Sequence, residues 1–214
     1  MAAKNRKLHH FRKEYNKFQL SIESSALDPF EQFGLWFHQA LELGGFEANA
    51  MVLSTISEDM QPSSRVVLLK EYSENGFVFY TNYASRKGNE IEFNPKVAIL
   101  FFYEAMERQI RIQGVLEKIS SEESSKYFDS RPLESQYGAM VSPQSKKIES
   151  KESLDAELLK LKTENKKPQM PKHWGGYLLK ANYFEFWQGR PNRLHDRVCY
   201  ELKEGQWNKF AIAP

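Results

Sequence analysis

Residues 50–82 read AMVLSTISEDMQPSSRVVLLKEYSENGFVFYTN. Three stretches rich in Val, Ile, Leu, Phe and Tyr, at 50–57, 64–72 and 77–82, are divided by polar turns such as Ser73-Glu74-Asn75-Gly76, the pattern of short strands. Residues 97–103 and 108–119 repeat it. Five strands joined mostly by short turns predict an antiparallel sheet or barrel. Between the third and fourth, 85–94 reads as a short helix stopped by Pro95.

Upstream, Asp28-Pro29 opens a helix, since Asp caps free N–H groups and Pro suits the first helical position. Phe30, Phe33, Trp36, Phe37, Ala40 and Leu41 recur at helical spacing before Gly44-Gly45, so this face should meet a core. Downstream, Ser120-Ser121-Glu122-Glu123 resembles a capping box starting a helix to about Ser130. Pro132 interrupts it, and 135–141 forms a second helical turn. A charged helix at 151–162, a strand at 177–187 and a hairpin of 197–202 with 207–212 complete the chain.

The 214 residues suffice for one substantial core. A single domain over 21–214, preceded by a flexible basic segment at 1–20, is the expectation. Basic and acidic residues number 30 and 28, which argues against a general nucleic-acid or membrane-surface binder. The run Lys4-Asn5-Arg6-Lys7 with His9, His10, Arg12 and Lys13 reads most simply as a solvated tail. Cys199 is the sole cysteine, which suits a reducing compartment and, beside aromatic strand residues, a packing role. No apolar run approaches the roughly 20 residues that span a bilayer, and none follows the basic start. A soluble, cytoplasmic protein is expected.

Signatures of Rossmann, P-loop and zinc-hydrolase chemistry are absent from the sequence, and no metal site is expected. Four clusters carry chemistry instead. Ser85 is placed to cap a helix with Arg86 and Lys87 in its first turn. Cations there oppose the helix dipole unless an anion such as phosphate binds; an exposed basic turn is the alternative. Arg65 and Lys70 bracket Val66, Val67, Leu68 and Leu69, and on a regular strand their odd spacing sends them to opposite faces. That pattern implies two anions, or one anion and a structural carboxylate. Tyr127, Arg131 and Ser135 follow at intervals of four, with Ser135 placed to cap the helix after Pro132, a possible second phosphate pocket. Finally, Arg193, His195 and Arg197 share one face if their segment is extended, and the nearby Trp187 offers a flat surface for a ring.

The run Phe186-Trp187-Gln188-Gly189 through Arg193-Leu194-His195-Asp196-Arg197 resembles the C-terminal signature of pyridoxamine 5'-phosphate oxidases. The likeness extends to Arg65 through Lys70, Phe79-Tyr80-Thr81-Asn82, Ser85-Arg86-Lys87, Glu107-Arg108-Gln109, the run from Lys126 to Pro132, Gln144-Ser145, Trp174-Gly175-Gly176 and Ala213-Pro214. The resemblance implies an α+β, mainly β, split β-barrel with peripheral helices. It implies a homodimer with flavin mononucleotide (FMN) at the interface. It also implies oxidation of pyridoxamine and pyridoxine 5'-phosphates by oxygen to pyridoxal 5'-phosphate, with release of hydrogen peroxide. By the same resemblance, Arg65, Arg86 and Lys87 take the cofactor phosphate, with Val66 to Lys70, Tyr80 and Thr81 alongside. Gln109, Gln144, Ser145, Trp187 and Arg197 complete the flavin pocket. Lys70, Tyr127, Arg131 and Ser135 hold the substrate phosphate, and Arg193 and His195, the residues implied to be catalytic, cover the pyridine ring. Arg12 and Tyr15 match a segment that folds over the site. A related oxidase of another ring, as in phenazine biosynthesis, a non-catalytic flavin carrier and a nucleic-acid binder are the rival readings.

Overall fold

The computed structural model describes residues 13–44, 47–164 and 167–214; Arg12 and the basic run before it lie outside these. These described residues divide into two compact units, one formed by those up to 44, 102–110 and 185–214, the other by those within 47–101 and 111–184.

In the smaller unit, α1 (Pro29–Glu42) starts as its sequence dictates: the Asp28 carboxylate accepts the N–H groups of Phe30 and Glu31, and Pro29 takes the first turn. Phe33, Trp36 and Ala40 are buried, whereas Leu41 is 48% exposed, so the apolar stripe is narrower than its spacing suggested. Trp36 and Tyr200 both meet the ring of Phe186 edge-on. Cys199 is fully buried, consistent with packing.

The larger unit is built on strands. In chain order they are β1 (Ala50–Ile56), β2 (Pro62–Leu68), β3 (Glu71–Ser73), β4 (Gly76–Asn82), β5 (Lys96–Tyr103), β6 (Arg108–Lys118) and β7 (Trp174–Gln188), with α2 (Arg86–Phe93) between β4 and β5. Among the described residues three helices separate β6 from β7: α3 (Ser121–Ser130), α4 (Leu133–Val141) and α5 (Lys151–Thr163). The sheet order is β2-β1-β5-β6-β7-β4-β3, with antiparallel registers such as Leu53 opposite Arg65 and Tyr80 opposite Gly176. Alternation along β1 buries Met51, Leu53 and Thr55. The β3–β4 turn requires Gly76, whose φ is +137° and where a Cβ would meet the Leu179 carbonyl oxygen at 2.1 Å. β8 (Asp196–Lys203) and β9 (Gln206–Ala211) form the expected hairpin. Among the described residues no helix is long and apolar enough to cross a membrane.

Three local expectations are corrected. The second strand ends at Leu68, and β3 resumes only at Glu71, so parity does not carry from Arg65 to Lys70. α4 begins at Leu133 with Pro132 as its cap, which places Ser135 inside the first turn, its N–H donated to the Pro132 carbonyl at 2.9 Å. Residues 193–197 are not one extended stretch: Pro191–Arg193 is a 3-10 turn with Asn192 and Arg193 at positive φ.

Candidate functional site

The larger unit holds a cavity of about 710 Å³ that gathers Arg65, Val66, Val67, Leu68, Lys70, Tyr80, Thr81, Lys87, Tyr127, Arg131, Ser135 and Gln144. Among the described residues, four that line it are cations and none is a carboxylate. Because β2 ends at Leu68, Arg65 and Lys70 line the same cavity despite their odd spacing.

The arginine at β2 has a carboxylate behind it. Arg65 Nη2 lies 3.1 Å from Glu90 Oε2, Nη1 donates to the Leu53 carbonyl at 3.0 Å and to Thr55 Oγ1 at 2.6 Å, and Nη2 also reaches Ser63 Oγ. Arg86 Nε pairs with Glu90 Oε1 at 2.8 Å; its side chain is largely exposed and does not line the cavity. Burial acts to raise the Glu90 pKa. Hydrogen bonds from Thr55, Ser63 and Arg86 and the charge of Arg65 outweigh it and hold the carboxyl at about 2. Glu90 is thus a structural carboxylate of the kind the sequence left open, and its signal was its place four residues after Arg86.

Lys87 is differently placed. It is buried, and its Nζ donates to Gln144 Oε1 at 2.8 Å, Thr81 Oγ1 at 3.2 Å and Ser85 Oγ at 3.3 Å, all neutral oxygens. Burial, then the nearby Arg65, pull its pKa down to about 8 against the pull of Glu90. Ser85 caps α2 by accepting the Gly88 N–H, so a free helix end and a desolvated ammonium share one place.

Arg131 ends α3, its guanidinium carbon 4.9 Å from the Trp174 ring centre, and its buried Nη1 has no hydrogen-bond partner among the described residues. Burial lowers its pKa. Tyr80 and Tyr127 stack with ring centres 3.9 Å apart, and Trp174 stacks on Tyr80 at 5.5 Å. Burial and the nearby Glu71 push the Tyr80 phenol up to about 12, so it stays a neutral donor at neutral pH. Trp174 was not singled out as a site residue from the sequence. It lies at the start of β7, three residues earlier than that strand was expected to begin. Leu69 is buried and outside the lining, and Ser145 is exposed at a positive φ.

The smaller unit holds a second cavity, of about 470 Å³, lined by residues that include Tyr15, Arg190, Arg193 and His195. His195 and Trp187 have ring centres 4.5 Å apart, and Tyr15 meets both edge-on. The Arg190 N–H donates to His195 Nδ1 at 3.1 Å. Burial and Arg193 lower the His195 pKa against the pull of Asp196. A neutral imidazole whose Nδ1 accepts carries its proton on Nε2, leaving that nitrogen as a donor. Arg197 Nε pairs with Glu185 at 2.8 Å and Nη1 donates to the Ala213 carbonyl, while Gln109 lies half-buried on β6. Glu185, a carboxylate between Phe184 and Phe186, was missed as the partner of Arg197. Its apolar neighbours were the available signal.

Comparison with known proteins gives a consistent result. Residues 38–165 match a family model described as pyridoxamine 5'-phosphate oxidase, and 174–214 match one described as the pyridoxine 5'-phosphate oxidase C-terminal dimerisation region. The pyridoxine/pyridoxamine 5'-phosphate oxidase of Cytophaga hutchinsonii is 50% identical over 209 residues, covering 95% of this chain and 96% of that one. The protein of the same description from Bordetella pertussis is 50% identical over 206 residues, covering 95% and 97%. Among solved structures, PhzG from Burkholderia lata 383, in complex with tetrahydrophenazine-1-carboxylic acid, matches with TM-score 0.88 at 25% identity, covering 94% of this chain and all of that one. A pyridoxamine 5'-phosphate oxidase-related, FMN-binding protein from Nostoc punctiforme shares the fold with TM-score 0.72 at 20% identity, over 88% of this chain and all of that one. The expected α+β, mainly β, split-barrel fold is borne out.

Proposed function

Because the chain belongs to the pyridoxamine 5'-phosphate oxidase family, we propose that it oxidises pyridoxamine 5'-phosphate and pyridoxine 5'-phosphate to pyridoxal 5'-phosphate as an FMN-dependent homodimer. The observation that carries this reading is the cavity lined, among the described residues, by four cations and no carboxylate, which supports phosphorylated ligands. The volume of about 710 Å³ falls in the range of small-molecule sites.

The residues present fit FMN. Lys87 is a desolvated ammonium at the start of α2 whose hydrogen-bond partners among the described residues are neutral oxygens, and a dianion there would favour its charged form. Lys87 and Arg65 would hold the cofactor phosphate, with Arg65 kept in place by Glu90, and Arg86, which lies outside the cavity lining and also pairs with Glu90, would reach it from the first turn of α2. Val66 to Lys70, Tyr80, Thr81, Gln109, Gln144, Ser145, Trp187 and Arg197 would complete its surroundings. Bound there, FMN would supply the two-electron redox chemistry that takes the amine or alcohol to the aldehyde at the expense of oxygen. Overall, the amine, oxygen and water give aldehyde, ammonia and peroxide, while the alcohol and oxygen give aldehyde and peroxide.

The protein's own groups bind and orient. Arg131, with an unsatisfied buried Nη1, would grip the substrate phosphate with Lys70, Tyr127 and Ser135. His195 would donate from Nε2 and Arg193 would supply positive charge over the pyridine ring. Tyr15 would close the ring's surroundings; Arg12, assigned the same role by resemblance, lies outside the described residues. The match of 174–214 to a dimerisation region supports two copies sharing the cofactor.

The likeness to PhzG favours one second reading, oxidation of a tricyclic ring. Lys70, Tyr127, Arg131 and Ser135 lining one cavity favour a phosphorylated substrate instead. The test is spectroscopic. The purified protein should carry a flavin absorption band that bleaches when pyridoxamine 5'-phosphate is added without oxygen. A protein that takes up no FMN ends this reading, and one that bleaches only with a phenazine precursor replaces it.

A further inference from the structure

The smaller unit contains a carboxylate to which the proposed reaction gives no role. Glu107 is 2% exposed, and its backbone is left-handed, with φ 57°, a conformation disfavoured for a residue bearing a Cβ and one that persists where its surroundings enforce it. Its Oε2 accepts the backbone N–H of Asn16 at 2.9 Å and of Lys17 at 3.2 Å. Two more side chains grip the same segment. Arg190 Nη1 donates to the Phe18 carbonyl at 2.9 Å, Asp196 Oδ2 accepts the Leu20 N–H at 2.9 Å, and Arg190 and Asp196 are joined at 3.3 Å. Residues 13–20 have no helix or strand of their own, so these bonds define the segment's path.

That path delivers Tyr15. Its ring rests on Gly189, where a Cβ would come within 2.7 Å of the Tyr15 Cγ, and lies edge-on to Trp187 at 5.8 Å and to His195 at 5.9 Å. Tyr15 thereby lines the same cavity as Arg193 and His195. A buried carboxylate left without donors is costly, and one accepting two N–H groups is satisfied by charge-assisted bonds. Docking of the segment and burial of Glu107 therefore depend on each other.

We propose that Glu107 is a positioning residue for the oxidation: with Arg190 and Asp196 it pins residues 16–20 so that Tyr15 forms one wall of the cavity around the substrate ring. This rests on the function proposed above. Glu107→Gln keeps the shape and removes the charge. In the FMN-loaded protein, hydrogen–deuterium exchange at Asn16 and Lys17 should then speed by about ten- to hundredfold, as expected for loss of bonds to a charged acceptor. FMN affinity should not move. KM for pyridoxamine 5'-phosphate should rise about tenfold with kcat within about twofold, the mark of lost binding rather than lost chemistry. Tyr15→Ala should raise KM similarly, and the double variant should be no worse than Tyr15→Ala alone. Gly189→Ala, which brings a Cβ to 2.7 Å from the Tyr15 Cγ and to 3.1 Å from the Glu107 Cβ but keeps the carboxylate itself, should reproduce the rise in KM and serves where Glu107→Gln does not fold.

Unchanged exchange at Asn16 and Lys17, or KM effects of Glu107→Gln and Tyr15→Ala that multiply in the double variant, would overturn the assignment. Failure of the functional reading looks different. The unaltered protein would then take up no flavin or oxidise no phosphorylated pyridine, and the exchange measurement alone would decide whether Glu107 pins the segment.

Discussion

The cavity of the larger unit is walled by Arg65, Lys70, Lys87 and Arg131 with no acidic residue among its lining, whereas that of the smaller unit sets Lys13, Arg190 and Arg193 beside Glu14, Tyr15 and His195. In the first, positive charge is in excess, and part of it is desolvated: Lys87 is pulled to about 8 and Arg131 is left with an orphan Nη1. In the second, the charge is mixed, and the close contacts are between rings, Trp187 on His195 and Tyr15 against both. The first cavity suits anions by its charge, alongside its own stack of Tyr80, Tyr127 and Trp174, and the second differs from it chiefly in its mixed charge. Charge in a poorly solvated wall selects a phosphate whatever ring it carries, while ring edges select a shape whatever its charge.

Replacing a cation of the larger cavity breaks this contrast most severely. Lys87→Met should weaken FMN binding by about 3 kcal/mol, more than about a hundredfold. Riboflavin, which lacks the phosphate, should lose far less, as read by flavin fluorescence. Equal losses for both ligands would mean that Lys87 supports the fold rather than the anion. Next in size, Arg131→Ala should raise KM for the phosphorylated substrate by about 1.5–3 kcal/mol while FMN stays bound. Loss of flavin with substrate affinity intact would move Arg131 to the cofactor.

A smaller effect separates the structural carboxylate from the ligand-facing cations. The Glu90 carboxyl is held at about 2 against an ordinary value of 4.5. The folded state therefore binds its proton less readily than the unfolded state, and the contribution of Glu90 to stability is fully present above 4.5 and lost as pH falls towards 2. Urea midpoints should drop more steeply over that window in the unaltered protein than in Glu90→Gln; parallel curves would remove Glu90 from this role. The least effect belongs to the smaller cavity. His195 titrates below its ordinary 6.5 because of burial and Arg193. The neutral form is favoured by folding, so its contribution is complete above 6.5 and declines as pH falls through the lowered value. An acid-side loss in kcat/KM should accompany this in the unaltered protein and shrink in His195→Gln.

Much of this contrast was legible in the sequence, though not all for the right reason. Arg65, Lys70, Lys87, Tyr127, Arg131 and Ser135 were each singled out, and one cavity gathers them. Strand parity nevertheless sent Arg65 and Lys70 to opposite faces, because it assumed a strand that in fact ends at Leu68. Ser135 joins the cavity from inside the first turn of α4, not as its cap, because Pro132 already starts the helix. Arg193 and His195 come together through a tight turn with two residues at positive φ rather than along an extended face. Trp174 and Glu90 carried weaker signals, since a single aromatic at a strand start and a lone helix acid have many ordinary uses.

Local patterning by itself determined that the chain is built on short strands, though not where the second ends or the seventh begins, and it determined the Asp28, Ser85 and Ser120 caps, because helix ends and strand faces are written within a few neighbouring residues. Only the tertiary structure decided which charges are satisfied and by what. Arg65 meets Glu90 across 25 residues of chain, and Glu107 meets Asn16 across 91. A buried charge takes whichever partner the fold brings within hydrogen-bonding reach, and no periodicity in the sequence encodes that meeting.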